Sequence, residues 1–128
     1  VKNRNWAYIQ EEMSRIVEVC RDRKTTSKVI FENCYLTQEE KEKLCEISLE
    51  VLPDFIKTST GFGTGGATVQ DVALMKDLVG GKIKIKAAGG IRTAEQALAM
   101  IAAGASRIGT SRGCEIIEQY KTILQEGK

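Results

Sequence analysis

Lys57 is the residue best placed for covalent chemistry. It closes the run Asp54-Phe55-Ile56-Lys57-Thr58-Ser59, which reads as an apolar strand, and the chain then enters Thr60-Gly61-Phe62-Gly63-Thr64-Gly65-Gly66, a glycine-rich turn. A lysine at the mouth of a buried strand, beside a loop able to lie against a ligand, can attack a carbonyl and form a Schiff base. A second run, Lys82-Ile83-Lys84-Ile85-Lys86-Ala87-Ala88, alternates lysine with apolar residues. Strand side chains alternate between faces. If the isoleucines pack on helices, Lys57 and Lys86 point to the same side near the carboxyl ends of adjacent strands. Burial and a neighbouring like charge both disfavour an ammonium, so two amines in one partly dry pocket keep a lone pair available. Lys84 reads as a solubilising edge residue or one member of a structural ion pair.

Two further glycine turns follow strands, at Gly89-Gly90 and across Gly109-Thr110-Ser111-Arg112-Gly113. In a barrel of parallel strands, the late loops commonly hold a phosphate with backbone amides and a helix N-terminus. Ser111 and Arg112 would add a hydroxyl and a positive charge; plain turn chemistry explains the glycines equally well. Gly61, Gly63 and Gly66 also match G-x-G-x-x-G between a strand and a helix. The acidic residue that a dinucleotide site needs about 20 residues later is missing, because Lys82 to Lys86 stands there, so that reading is rejected.

Composition removes other chemistries. The chain has 128 residues, enough for one domain, with 42% hydrophobic and 28% charged residues. A net charge of +2 is too small to argue for nucleic acid or an anionic membrane. No stretch approaches the roughly 18 apolar residues of a membrane span, and Val1 to Trp6 does not resemble a secretory signal. There is no histidine, and Cys20, Cys34, Cys45 and Cys114 form no C-x-x-C pair. A zinc site and imidazole-assisted serine or cysteine nucleophiles are therefore not expected. The cysteines read as reduced thiols of a cytoplasmic protein.

The elements that must position the lysines are legible by period. Trp6, Ile9, Met13, Ile16, Val17 and Cys20 repeat at helical spacing over residues 4–20. Val29 to Asn33 reads as a strand. Thr37-Gln38-Glu39-Glu40 is a capping box opening a helix that ends near Pro53. Thr68-Val69-Gln70-Asp71 is a similar start with Asp for Glu, and Val69, Val72, Met75 and Val79 form the expected buried stripe up to Gly80-Gly81. Lys82 to Ala88 is the third strand. Thr93 to Gln96 caps the next helix, with Ala97, Leu98 and Ile101 facing inward. Arg107 to Ser111 is the fourth strand, and Ile116, Ile117, Tyr120 and Ile123 mark the last helix. The order is one leading helix and four βα units, with strands near 29, 54, 83 and 107. Strict alternation argues an α/β fold with a parallel sheet. Four units suit either half of a (β/α)8 barrel or a small open doubly wound sheet.

Three segments go further than spacing. Phe55-Ile56-Lys57-Thr58-Ser59-Thr60-Gly61-Phe62-Gly63, Lys86-Ala87-Ala88-Gly89-Gly90-Ile91-Arg92-Thr93 and Arg107-Ile108-Gly109-Thr110-Ser111 closely resemble deoxyribose-phosphate aldolase, and Val29 to Thr37 is similar to that family's preceding strand and helix start. The resemblance covers essentially the whole chain. It implies the C-terminal half of a TIM barrel, residues 1–128 forming one partial domain. It implies a class I aldolase that needs no metal or other cofactor and cleaves 2-deoxy-D-ribose 5-phosphate reversibly to acetaldehyde and D-glyceraldehyde 3-phosphate. Lys57 aligns with the Schiff-base lysine, and Lys86 with the second lysine, which tunes the first and joins the proton relay. Thr60 and Gly61 fall on the loop over the substrate. Gly89, Gly90, Gly109 and Ser111 fall on the phosphate loops, with Arg112 where the family usually has a second serine.

The family's relay also uses an aspartate of the fourth barrel strand, which this chain lacks, as it lacks the first-strand substrate residues. The expectation is therefore a fragment inactive alone, with a small sugar phosphate as its ligand. It is also expected to form a homo-oligomer or to associate with the missing N-terminal half, since a half-barrel exposes strand edges and an apolar inner face. A phosphate-binding half-barrel without catalysis is the alternative.

Overall fold

The computed structural model describes residues 1–127. Along them run helix α1 (Trp6–Asp22), strand β1 (Lys28–Ile30), a 3-10 turn (Asn33–Tyr35), α2 (Gln38–Val51), β2 (Phe55–Lys57), α3 (Val69–Val79), β3 (Lys84–Ala88), α4 (Ala94–Ala103), β4 (Arg107–Gly109) and α5 (Gly113–Glu126). The strands form one parallel sheet in sequence order, β1-β2-β3-β4. That consecutive order is the half-barrel arrangement; a doubly wound sheet would reverse direction at a switch point.

Helix starts follow the capping chemistry. Thr37 accepts from the Glu40 amide at 3.2 Å while Glu40 accepts from the Thr37 amide at 3.3 Å. Thr93 and Gln96 form the same reciprocal box. At α3 only the Thr68 half forms, accepting from the Asp71 amide at 3.1 Å. The Asp71 carboxylate turns instead to Lys41 Nζ, 2.8 Å away on α2. The shorter aspartate thus ties two helices together rather than closing its own cap.

One face of the sheet packs on helices. Ile56, Ile85 and Ala87 join Leu44 and Cys45 of α2, Val72 and Met75 of α3, and Ala97 and Met100 of α4 in one buried cluster. Burial pushes the Cys45 thiol up to about 12. A smaller cluster joins Met13 and Val17 of α1 to Ile47 and Val51 of α2. At the amino ends of β1 and β2, Asp54 accepts from the Ser27 amide (2.8 Å) and hydroxyl (3.1 Å), and these bonds hold its carboxyl below the usual range.

Several periodic apolar residues face outward. Val69, at 40% exposure, leaves the α3 stripe. On α4, Ala94, Ala97 and Met100 are buried, whereas Leu98 and Ile101 are exposed. A Cβ on Gly104 would meet Lys76 of α3 at 2.5 Å, which shows how closely the end of α4 approaches α3. At such separations small side chains fit between helices and large ones do not. On α5 only Ile116 is buried, and Ile117, Tyr120 and Ile123 are exposed. Lys82 belongs to the turn before β3 rather than to the strand.

Candidate active site

Strand register builds the site. Lys57 pairs with Lys86 across β2 and β3, and Lys86 pairs with Arg107 across β3 and β4. Neighbouring strands run about 4.8 Å apart, so these residues form one row on the face opposite the helices. Lys57 and Lys86 are each half-buried. Burial first, then the charges of Lys57, Lys28 and Arg107, hold the Lys86 amine below its ordinary value. A second row, toward the amino ends, holds Lys28, Phe55 and Lys84. Phe55 is buried there, with Lys84 Nζ 5.8 Å and the Arg107 guanidinium 4.5 Å from its ring centre.

Beyond Lys57 the backbone is held by Thr58. Its hydroxyl donates to the Ala88 carbonyl at 3.1 Å and accepts from the Ala88 amide at 3.2 Å, extending the β2–β3 contact past the main-chain ladder. Thr58 and Ser59 are completely buried. The glycine loops then meet. The Ala67 amide donates to the Gly89 carbonyl at 3.0 Å, and a Cβ on Gly66 would lie 2.2 Å from that carbonyl oxygen. Of the three glycines in the G-x-G-x-x-G match, only Gly61 has a positive φ, at 99°. Gly63 and Gly66 are needed for close approach instead: a Cβ on Gly63 would sit 2.8 Å from Cys34 Sγ. Gly89 and Gly90 both have positive φ, 92° and 74°. Gly109 leaves room for Lys86, whose Cε would stand 3.0 Å from a Cβ there.

These elements enclose a cleft of about 500 Å³ lined by Lys57, Thr60, Gly61, Gly89, Gly90, Gly109 and Ser111, together with Phe62, Arg92 and Thr110. A larger cleft of about 650 Å³ lies on the helical side, but Glu39, Glu42 and Glu46 line it. Those carboxylates would repel an anion, so the smaller cleft is the candidate. Two expected residues do not line it. Lys86 stands beside it through its pairing with Lys57 and its packing over Gly109. The Arg112 side chain pairs with Glu115 at 3.2 Å on α5, and its amide donates to Thr110 Oγ1 at 3.0 Å. Thr60 is at the rim, yet its hydroxyl and amide both donate to Glu32. Arg92 is the addition with the clearest chemistry, an exposed cation on the cleft wall. Its place two residues after Gly89-Gly90 was the available signal.

A family model described as dihydroorotate dehydrogenase matches residues 8–126. A solved dihydroorotate dehydrogenase from Eimeria tenella is 20% identical with a TM-score of 0.67, over 80% of this chain and 35% of that one. At that identity the likeness is one of fold. The aldolases are much nearer. A deoxyribose-phosphate aldolase from Thermococcus kodakarensis is 56% identical over 118 residues, which is 92% of this chain and 53% of that protein. The chain belongs to the deoxyribose-phosphate aldolase family. A solved structure titled "QR15, an Aldolase" superposes with a TM-score of 0.87 at 43% identity, covering 99% of this chain and 57% of that one. The chain thus spans about half the length of the aldolases it matches, and its four βα units are a half-barrel of the TIM type.

Proposed function

We propose that this chain is the C-terminal, nucleophile-bearing half of a class I deoxyribose-phosphate aldolase. The observation that carries the reading is the register pair Lys57–Lys86 at the edge of a cleft walled by Gly89, Gly90, Gly109 and Ser111. A 2-deoxy sugar phosphate has the matching chemistry. Its open-chain aldehyde meets an amine, and its phosphate meets backbone amides, the Ser111 hydroxyl and Arg92. The amino end of α5 begins beside Ser111, carries no side-chain cap, and offers further amides.

The steps follow from that placement. The Lys57 lone pair adds to C1, and loss of water leaves an iminium ion. Acetaldehyde carries C1 and C2, so the bond that breaks is C2–C3. The C3 hydroxyl loses its proton, C3 becomes the aldehyde of glyceraldehyde 3-phosphate, and the electron pair moves into the iminium to give an enamine. Protonation at C2 and hydrolysis release acetaldehyde and return the Lys57 amine. Lys86, held below its ordinary proton affinity, exchanges the proton through water with a carboxylate supplied from outside this chain. No helix among the described residues is long and apolar enough to cross a membrane.

The test is turnover. The chain is mixed with the portion of the Thermococcus kodakarensis aldolase that it does not match, and acetaldehyde release from deoxyribose 5-phosphate is followed. Turnover is expected, and Lys57→Ala should lower it at least about a thousandfold. Turnover unchanged by Lys57→Ala would remove the assignment. A second reading, phosphate binding without catalysis, rests on the anion wall lying wholly within this chain. Phosphate binding with no turnover in the mixture would favour it.

A further inference from the structure

Glu32 is one of the few non-glycine residues with positive φ, at 56°, and it lies two residues past the end of β1. A left-handed glutamate is strained and persists where its surroundings hold it. On either side the main chain is fixed to β2 and the residue after it: the Phe31 amide donates to the Lys57 carbonyl and the Asn33 amide to the Thr58 carbonyl, both at 2.9 Å. The bend leaves the Glu32 carboxylate over the turn that follows Lys57. There it accepts from the Thr60 amide, at 3.1 Å to Oε1 and 3.3 Å to Oε2, and from the Thr60 hydroxyl. That hydroxyl, its proton given to Glu32, accepts from the Phe62 amide at 3.1 Å. A Cβ on Gly63 would stand 3.1 Å from Glu32 Oε1. The carboxylate thus contacts or approaches the turn along Thr60 to Gly63.

We infer that Glu32 is a positioning residue, whose carboxylate fixes the turn after Lys57 and so sets the rim of the cleft at Thr60, Gly61 and Phe62. It touches no reacting atom. It holds the backbone from which the Lys57 side chain reaches the aldehyde, using hydrogen bonds to a charged acceptor, which are stronger than neutral ones. The catalytic part of this inference rests on the aldolase reading; the hold on the turn does not.

Three variants of the chain test it. Glu32→Ala removes the carboxylate, Glu32→Gln keeps its size and one acceptor oxygen, and Glu32→Gly removes the carboxylate while relieving the left-handed backbone, so a folding defect is not built in. Two readouts are taken: hydrogen exchange at the Thr60 and Phe62 amides against Ile56 and Ile85 in the sheet, and the rate of borohydride capture of acetaldehyde against aldehyde concentration. Glu32→Ala and Glu32→Gly should speed exchange at Thr60 and Phe62 by about tenfold and leave the sheet amides unchanged. They should slow capture at saturating aldehyde by a similar factor, with Glu32→Gln in between. Unchanged exchange at Thr60 and Phe62, or equal loosening of Ile56 and Ile85, overturns the inference. So does normal capture in Glu32→Gly despite faster exchange. If the wild-type chain captures nothing, alone or mixed with the unmatched portion of the Thermococcus kodakarensis aldolase, while exchange changes as expected, the aldolase reading falls and the hold of Glu32 on the turn stands.

Discussion

Lys86 carries a conflict between stability and chemistry. Its folded-state proton affinity is lowered, chiefly by burial and then by Lys57, Lys28 and Arg107. The unfolded chain therefore binds the proton more readily, and stability rises with pH between the folded value and the ordinary value of 10.5. Below that window the fold bears the cost of a crowded ammonium. Lys86→Met should therefore raise the melting temperature near neutral pH by about 2 °C, with the gain shrinking as pH climbs through the window. The same change should lower turnover of the reconstituted enzyme by about a hundredfold or more, through the lost proton relay. Thermal melts at several pH values and a steady-state assay check both halves. At this scale the sequence was informative for Lys57 and Lys86, because a two-residue strand period fixes facing. It was silent on Glu32, whose left-handed backbone and bond to Thr60 depend on a partner 28 residues away. It also offered Arg112 for the anion, although Glu115, three residues on at helical i,i+3 spacing, was a local signal of the competing ion pair.

Among the elements, the two glycine turns act as one unit. Gly66 lies against the Gly89 carbonyl so closely that a methyl group would need the main chain to move. Gly66→Ala should cost about 1–3 kcal/mol in urea melts and weaken phosphate binding, because the Ala67–Gly89 bond would open with it. The order of helices and strands was legible, since capping boxes and β-branched runs are local signals. The direction of the α4 and α5 stripes was not. Leu98 and Ile101 outrank Ala94 and Ala97 in hydrophobicity, yet close approach of α4 to α3 selects the small residues for the interface. Hydrophobic period finds a helix but does not choose between two apolar faces when one of them is made of alanine.

For the whole molecule, the half-barrel presents a cationic inner face. Lys28, Lys57, Lys84, Lys86 and Arg107 occupy it, and none of its strand positions is a carboxylate. Two copies meeting face to face would repel, and salt would screen that repulsion. The exposed apolar residues of α4 and α5 are the better route to self-association, through Leu98, Ile101, Ile117 and Tyr120. Sedimentation at about 0.05 and 0.5 M salt should show association that changes little with salt and falls in Ile101→Asp/Ile117→Asp. Association that grows with salt and survives the double change would place the contact on the sheet instead. The concentration of cations also makes lysine selectivity the sharpest test of the function, because four lysines share one face and only Lys57 is assigned the covalent step. The deciding measurement is the intact mass and peptide map of the chain after acetaldehyde and sodium borohydride. A single reduced ethyl adduct on Lys57, absent from Lys28, Lys84 and Lys86, is the expected outcome. An adduct on Lys86 or Lys84 with Lys57 unmodified, or ethyl groups spread evenly over all four, would contradict it.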